Sequence, residues 1–229
     1  MLKLRRQCII FFMRTYILID ASNLFYGFDV EYGWKIDYDR LKKYLEEKYS
    51  AINVLYFGGI DTTVGIQPNK EYFHNYSGNE TVNLDEYIAH FENLLMTYGN
   101  LSVAQITLTK KFIQQAKFYR KLESFGYKLF LKPVKRFEKG EFNIPQRKAN
   151  CDVDLTIEAM ANAESFDRAI ILSGDGDFLP LYKHLEKKNK EVYVLARSSK
   201  TAREVKRHLG SKFIEIKMLK NQIEFLGKN

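Results

Sequence analysis

Cysteine is scarce in this sequence of 229 residues, where it occurs only as Cys8 and Cys151. Two cysteines are too few for a disulfide scaffold or a thiolate metal site, so we expect reduced thiols in a cytosolic protein. No stretch rich in proline, glycine and serine divides the chain, which favours a single domain. The histidines show no metal-ligand spacing and are assigned no role; they are His74, His90, His184 and His208.

Apolar runs long enough to span a bilayer are also missing. The N-terminal run Cys8–Met13 follows three basic residues, as in a signal peptide, but it is too short and no small-residue cleavage site follows it. We therefore predict a soluble, cytoplasmic protein with no membrane partner. Met13 is a candidate natural start, so residues 1–12 are predicted to be an extension, or an extra pairing segment, ahead of one domain over 13–229.

Acidic residues are fewer than basic ones, 28 against 36, and the net charge is +8. Such a surplus favours a polyanionic partner, either nucleic acid or an acidic membrane surface, although solubility alone is an alternative. From residue 110 to 148 there are twelve Lys or Arg and only three Glu. The positive charge is therefore concentrated in one part of the chain.

Six short apolar runs, most of them rich in β-branched residues, alternate with segments of helical periodicity, which predicts an α/β fold with a mainly parallel sheet. The runs are Tyr16–Ile19, Val54–Phe57, Lys128–Leu131, Ala169–Leu172, Val192–Leu195 and Phe213–Ile216. The helical segments follow the caps Asp37 and Asn83 or fit Thr109–Phe125, Asp152–Ala163, Phe178–Lys188 and Thr201–Leu209. Two irregular stretches, 61–81 and 132–150, interrupt the alternation, and loops of this length are usually functional or mobile.

Aspartates follow two of the predicted strands. The first run ends at Asp20, and the fourth continues through Ser173 and Gly174 into Asp175 and Asp177. If these strands are parallel neighbours, the three carboxylates leave the sheet at the edge where open α/β sheets bind ligands. Glycines at 174 and 176 permit a tight turn that turns both aspartates toward the crevice.

Two interpretations of these aspartates compete. Asp177 as a helix cap and Asp175 as a turn residue would need no ligand. Converging carboxylates without a cation repel each other, however, whereas Mg²⁺ or Mn²⁺ prefers hard oxygen ligands. We therefore favour a divalent-metal site.

The helix that opens at Cys151 adds further carboxylates. Val153, Ile157 and Met160 form one apolar face and Leu155 with Ala159 another, so we expect the helix to pack against more than one neighbour. Between these faces lie two polar stripes, one with Asp152 and Thr156, the other with Asp154 and Glu158. Spacing leaves open which stripe faces a site and whether Asp152 is only a cap.

Three segments resemble the NYN domains of the LabA-like group, which belong to the PIN-like nucleases. They are Tyr16–Asn23 (YILIDASN), Asp152–Glu158 (DVDLTIE) and Ala169–Leu181 (AIILSGDGDFLPL), within a resemblance that runs from about Met13 to Ile216. The Ser-Gly-Asp-x-Asp-Phe element after a strand is its most specific part, and the Ile-Asp-x-x-Asn element is moderately specific.

The resemblance implies a Rossmann-like sheet with helices on both faces and an acidic pocket that binds Mg²⁺ or Mn²⁺. It assigns Asp20, Asp152, Asp175 and Asp177 as metal ligands, and these four with Asn23 as catalytic residues. Asp177 either ligates the metal or orients the attacking water, and Ser173 supports the ligands. The family often has Asp where this chain has Glu158. The implied function is an endoribonuclease that leaves a 5′-phosphate and a 3′-hydroxyl.

The basic stretch 132–150 suits an RNA substrate. We predict RNA contacts from five of its cations, while Phe137 and Phe142 are candidates for stacking on unpaired bases, each worth ~1–3 kcal/mol where it does. The five are Lys132, Lys135, Arg136, Arg147 and Lys148. Single-stranded and structured RNA both remain possible partners, and homo-oligomerisation is left open.

Other aspartate-based sites fit less well. A haloacid-dehalogenase-type phosphatase would need Asp-x-Asp after the first strand, where this chain has Asp20-Ala21-Ser22. The segment after Gly176 lacks the later ligands of a calcium loop, and a third glycine at dinucleotide spacing is absent. The remaining alternative is a catalytically silent RNA-binding or adaptor protein of the same fold.

Overall fold

A computed structural model describes residues 13–25, 28–61, 64–65, 72–73, 82–97, 99, 101–137, 146–149 and 151–227. Its strands are β1 (Thr15–Asp20), β2 (Ala51–Ile60), β3 (Val64–Gly65), β4 (Tyr72–Phe73), β5 (Lys128–Pro133), β6 (Lys135–Phe137), β7 (Gln146–Lys148), β8 (Arg168–Leu172), β9 (Glu191–Ala196) and β10 (Phe213–Glu215). Its helices are α1 (Ala21–Phe25), α2 (Phe28–Tyr32), α3 (Tyr38–Tyr49), α4 (Leu84–Thr97), α5 (Val103–Ser124), α6 (Cys151–Ala161), α7 (Leu179–Lys187), α8 (Arg203–Leu209) and α9 (Lys220–Ile223).

The six predicted strands form one parallel sheet in the order β10-β9-β8-β1-β2-β5. Strands covered on both faces read as continuous apolar runs, which is why the sequence pattern found them. The prediction of an α/β fold with a mainly parallel sheet is confirmed.

Helices cover both faces of the sheet, as the resemblance implied. Along β1, Ile17 and Ile19 face a core shared with α3, α4, α5 and α9, whereas Tyr16 and Leu18 face a second core shared with α6, α7 and α8. Side chains alternate between the two faces of the sheet along β1, and this alternation continues to Asp20. The Asp20 side chain is therefore on the same face as Tyr16 and Leu18, the face that α6 covers.

The order of the strands reverses beside β1. The chain first builds outward from β1 to β2 and β5, then returns to the other side of β1 and builds β8, β9 and β10. The connections that follow β1 and β8 therefore run in opposite directions. A crevice opens between them at the carboxyl ends of these two strands. The register aligns Ile19 with Leu172, so Asp20 and Ser173 leave the sheet side by side.

Helix boundaries follow the capping residues. Asp37 accepts a hydrogen bond from the backbone of Arg40, and Asn83 accepts two from the first turn of α4, as predicted. The prediction that the next helix starts at Thr109 is wrong, because Ser102 and Gln105 form a capping box that starts α5 at Val103. The short helices α1 and α2 were not predicted, since five residues show no usable periodicity.

The expectation that two apolar faces of α6 pack against neighbours is wrong for one of them. Leu155 and Ala159 are buried against the sheet. Val153, Ile157 and Met160 are 50%, 59% and 45% exposed. They lie on the opposite side of the helix, where nothing in the described part of the chain covers them.

An ion pair joins the starts of the two strands that carry the acidic residues. The Asp167 carboxylate, just before β8, accepts hydrogen bonds from the backbone N–H of Arg14 at 2.9 Å and from its guanidinium at 3.0 and 3.2 Å. Because Arg14 directly precedes β1, this contact fixes the register of β1 against β8 at the end of the sheet remote from Asp20.

Several predictions lie outside the described residues, among them the nature of residues 1–12 and most of the stretch 61–81. Two short antiparallel pairs, β3 with β4 and β6 with β7, are described within the irregular stretches. Across the described ranges, no helix combines the length and the apolar character needed to cross a membrane.

The Arg14–Asp167 contact should make stability depend on pH. Hydrogen bonds from Arg14 hold the pKa of Asp167 at about 2, below its ordinary 3.8. A carboxylate whose pKa is lowered by folding stabilises the native state above its unfolded pKa and loses that effect as pH falls through the folded one. We expect Asp167→Asn to lower the urea midpoint at pH 7 and to converge with the native protein near pH 2.

A control is Asp39→Asn, which removes an exposed carboxylate ion-paired with Lys43. Convergence of the same size in this variant would show that net charge, rather than the Arg14 contact, produces the effect.

Candidate acidic site

Asp20 is a buried carboxylate held by four donors. Its exposed fraction is 3%. Oδ1 accepts from the Ser22 backbone N–H at 3.1 Å, the Ser22 hydroxyl at 2.7 Å and the Asn23 N–H at 3.3 Å, because α1 starts directly after β1 and directs its free N–H groups back. Within the described ranges, no Lys or Arg forms an ion pair with Asp20. A buried charge without a basic partner is unusual unless a cation binds it.

Ser173 connects Asp20 to the loop after β8. It is fully buried, and its hydroxyl donates to Asp20 Oδ2 at 3.0 Å while accepting from the Asp175 N–H at 3.2 Å. One side chain therefore connects both acidic segments.

Asn23 braces the same loop from the other side. Its Oδ1 accepts from the Gly174 N–H at 2.8 Å, which fixes the orientation of the amide. Its Nδ2 donors make no hydrogen bond to the described residues and point to no protein acceptor there. Asn23 is thus tied to the loop and keeps two donors for a bound group.

Arg197 supports Asn23 and was missed by the sequence analysis. Its guanidinium donates to the Asn23 carbonyl at 2.9 Å and to Glu31 at 3.1 Å, and the side chain is 5% exposed. Its position directly after β9, at the same edge as the aspartates, was the available signal. The strand-end prediction concerned carboxylates, so it did not include an arginine.

Asp61 was missed for a different reason. It follows β2 at the same edge and is 4% exposed, so the strand-end rule would have found it had β2 been predicted to its true end. The register sets Asp20 opposite Phe57, so Asp61 lies four residues further along the neighbouring strand.

Gly174 is required by the close approach of the backbone at Thr201. A Cβ on Gly174 would lie 2.5 Å from the Thr201 hydroxyl and 2.9 Å from its Cα, whereas one on Gly176 would lie 2.8 Å from Glu204 Oε1, the flexible end of a side chain. Neither glycine has a positive φ. The predicted reason for these glycines, their conformational freedom in a tight turn, is therefore wrong.

Asp175 and Asp177 differ in their local roles. Asp175 Oδ1 accepts from the Asp177 N–H at 3.0 Å and caps a single 3-10 turn over Gly176–Phe178. Asp177 is exposed and its side chain caps neither this turn nor α7. The interpretation of Asp175 as a turn residue thus holds, and that of Asp177 as a helix cap is wrong.

The orientation of α6 decides which polar stripe faces the crevice. Asp154 forms an ion pair of 2.7 Å with Lys132 at the end of β5, so its stripe faces the β5 side. Asp152 and Thr156 lie on the other flank of the helix, away from Asp154. Lys132, a predicted RNA contact, is therefore partly engaged by Asp154.

Burial and neighbouring carboxylates raise the pKa of two groups at this edge, Cys151 and Tyr182. Burial, together with Asp154, Asp20 and Asp152, raises the pKa of the Cys151 thiol to about 12, so this thiol stays protonated at neutral pH. Burial also raises the pKa of Tyr182, with further contributions from Asp175 and Asp20. The Tyr182 hydroxyl is buried and has no hydrogen-bond partner among the described residues.

The carboxylates share one edge without forming a closed cage. In the described ranges, no group of three or more Asp, Glu, His or Cys side chains is arranged so that it could hold a metal ion. The predicted set of Asp20, Asp152, Asp175 and Asp177 is therefore not gathered into a complete ligand shell. Glu158 turns away from it and accepts a hydrogen bond from Asn162 at 2.8 Å.

A cavity of about 720 Å³ opens directly beside Asp20. Ser22, which donates to Asp20, and Cys151, which precedes Asp152, both line it. The remaining lining comes from α3, α5, the end of β2 and the chain on either side of the β6–β7 pair.

The Ser173 bridge can be tested by Ser173→Ala. Removing the hydroxyl leaves Asp20 Oδ2 and the Asp175 N–H without a partner, and a buried unsatisfied group costs about 1–3 kcal/mol. We expect a loss of that size in the free energy of unfolding, measured with urea. Ser165→Ala, at an exposed serine before β8, is the matched control, and an equal effect of both changes would contradict the bridge.

Comparison with known proteins agrees with the sheet and the strand-end motifs. The model of the NYN domain matches residues 14–217. The low amplitude and bright protein LabA of Synechococcus elongatus is 29% identical over 111 residues, 48% of this chain and 59% of that protein. The match thus spans less than two thirds of LabA.

One solved structure shares the fold. A protein of unknown function from Vibrio parahaemolyticus superposes with a TM-score of 0.55 at 19% identity, over 93% of this chain and 96% of that one. A zinc-bound T5 5′-exonuclease gives 0.44 at 16% identity, over 85% and 60%, and a score below 0.5 does not establish a shared fold. The family model, in contrast, covers most of the chain, and the protein belongs to the NYN domain family.

Proposed function

We propose that the protein is a divalent-metal-dependent endoribonuclease. One observation carries the proposal: Asp20 is a buried carboxylate with four hydrogen-bond donors and no basic partner in the described chain, and Ser173 couples it to Asp175. Membership of the NYN family, whose resemblance to PIN-like nucleases implies this activity, supports it.

Mg²⁺ or Mn²⁺ fits an edge of this kind. Mg²⁺ keeps several waters and is usually bound by one or two carboxylates together with substrate phosphates, so a complete protein cage is not needed. Asp20, through Oδ2, and Asp175 would hold the ion, with Asp152 and Asp177 acting directly or through water. Bound there, it would lower the pKa of water and neutralise charge on the phosphate.

The protein's own groups orient the substrate. Asn23 presents two N–H donors to a phosphate oxygen, and its amide cannot rotate while Oδ1 accepts from Gly174. Asp177 is exposed at the mouth of the crevice, and we assign it the orientation of the attacking water. Tyr182, Ser173 and Arg197 do not touch the substrate but keep the loop after β8 against β1.

The RNA surface continues from β5 into the β6–β7 pair. The register sets Lys135 opposite Lys148 and Arg136 opposite Arg147. Four of the five predicted RNA-contacting cations therefore belong to one strand pair, and cations concentrated in one short segment suit a phosphate backbone. Lys132 lies at the end of β5, at the same edge as the acidic residues. On RNA binding, its ammonium group would leave the ion pair with Asp154 and contact a phosphate.

Asp175→Asn separates chemistry from folding. Asn keeps the oxygen that caps Gly176–Phe178, so the fold should be retained, while the loss of a charged ligand should lower cleavage by about 100-fold or more. The measurement is cleavage of labelled single-stranded and structured RNA with Mn²⁺, Mg²⁺ or chelator. Asp39→Asn, on α3, is the control and should cleave like the native protein.

Three outcomes decide this proposal. Cleavage that requires metal and disappears only in Asp175→Asn supports it. Native rates in Asp175→Asn would remove that residue from the site. Salt-sensitive binding without cleavage under any metal would favour the catalytically silent RNA-binding adaptor.

Phosphate contacts predict a steep salt dependence of RNA binding. For single strands, log K falls with log salt concentration by about 0.7 per phosphate neutralised. Alanine at Lys135, Arg136, Arg147 and Lys148 should therefore reduce the slope by up to about 3, as measured by fluorescence anisotropy in chelator.

The charge-matched control is alanine at Lys128, Lys187, Lys188 and Lys190, which lie toward the opposite edge, where the strands begin. If both quadruple variants lose the same slope, binding is governed by net charge and the β6–β7 surface is not the site.

A further inference from the structure

The cavity beside Asp20 has the dimensions and chemistry of a small-molecule site. Its volume of about 720 Å³ lies within the 300–1,000 Å³ range usual for ligand pockets. Five aromatic side chains line it, namely Tyr38, Tyr56, Phe57, Phe118 and Tyr119. Neither the acidic residues nor the β6–β7 cations account for these rings.

The rings are fixed by contacts with one another. Tyr38 packs edge-on against Phe118 with centroids 5.0 Å apart, and Tyr56 packs edge-on against Tyr119 at 6.0 Å. The Tyr119 hydroxyl donates to the Gly59 carbonyl at 2.7 Å. Tyr56 and Tyr119 are almost fully buried, so the half-buried Tyr38 and Phe118 supply most of the accessible aromatic surface. A rigid aromatic wall of this kind suits a flat, unsaturated ligand.

Glycines at the end of β2 keep this space open. A Cβ on Gly58 would lie 3.1 Å from the Tyr56 ring, and one on Gly59 would lie 2.7 Å from the Ala149 Cβ. Two consecutive glycines inside a long buried strand lower the stability of that strand. Here they let the backbone of β2 lie close to the Tyr56 ring and to Ala149.

Gln115 supplies a directed polar group in the same wall. Its Nε2 donates to the Gly59 carbonyl at 3.2 Å and to the Tyr119 hydroxyl at 3.1 Å, which fixes the amide. Oε1 accepts no hydrogen bond from the described residues. A ligand with an N–H donor in its ring plane would satisfy this oxygen.

We propose that the cavity takes one unpaired nucleobase of the RNA, next to the phosphodiester that is cut. This proposal rests on the nuclease function. The cavity adjoins the acidic site, because Ser22 and Cys151 belong both to the cavity wall and to the surroundings of Asp20 and Asp152. A nucleotide whose phosphate lies at the acidic edge thus has a site for its base or for that of its neighbour. The substrate is RNA with an unpaired base at the cut.

The test replaces one nucleotide at a time with an abasic residue along a single-stranded RNA that the native protein cuts at one place. Loss of base stacking on aromatic side chains typically reduces binding by about tenfold or more. We expect kcat/KM to fall by about tenfold at one position near the cut and by less than about twofold elsewhere.

Variants on α5 link that position to the cavity. Phe118→Ala and Gln115→Ala should each lower kcat/KM for the intact RNA and cause little further loss when the critical base is already absent. Phe125→Ala and Gln114→Ala, on the same helix or at its end but outside the cavity, are matched controls and should behave like the native protein. Additive losses, or equal sensitivity at every position, would overturn the proposal.

Binding distinguishes this proposal from the nuclease function. With chelator present, 2-aminopurine in place of each base should lose fluorescence at the same single position through stacking. If RNA is bound but never cut, quenching at one position still supports the cavity and rejects the nuclease. Cleavage without position-dependent quenching retains the nuclease and rejects the cavity, and absence of RNA binding rejects both.

Discussion

The parallel pairing of β1 with β8 determines where Asp20, Asp175 and Asp177 of the candidate site lie. The two strands are neighbours although about 150 residues separate them, so no local feature of the chain brings Asp20 and Asp175 together. Their register depends on buried apolar side chains along both strands and on the Arg14–Asp167 contact where they begin. A shift of one residue would place the β1 side chains in the wrong core and would move Asp20 away from Ser173.

Burial of the Asp20 carboxyl group lowers the stability of the fold, so stability alone does not explain an aspartate at this position. A carboxyl group at 3% exposure is removed from water, and an apolar residue at the end of β1 would avoid the cost of burying a polar side chain. Its hydrogen bonds are distributed unevenly, with three donors on Oδ1 and one on Oδ2. A carboxylate oxygen has about two acceptor sites, so Oδ2 retains capacity for an external ligand while Oδ1 is saturated.

The parts of the fold that could be predicted are those with a local signal. All six strands of the main sheet were found because each is a short apolar run, and Asp37 and Asn83 marked real helix starts. The start of α5 was missed because no residue of its first turn is buried in the core, so only the capping box identifies it. Arg197 and the reason for Gly174 depend on contacts between segments distant in sequence, and no pattern within one segment reveals those.

The incomplete ligand shell and the aromatic cavity have a common explanation. An ion held by one or two carboxylates is bound weakly until phosphate oxygens complete its coordination, so the substrate itself must contribute to assembling the site. Binding energy for that step has to come from contacts remote from the reacting phosphate. In the proposed function, the rigid aromatic cavity that shares Ser22 and Cys151 with the acidic edge would provide such contacts, and only to RNA that offers an unpaired base. On this argument, selection of the substrate and completion of the metal site are a single event.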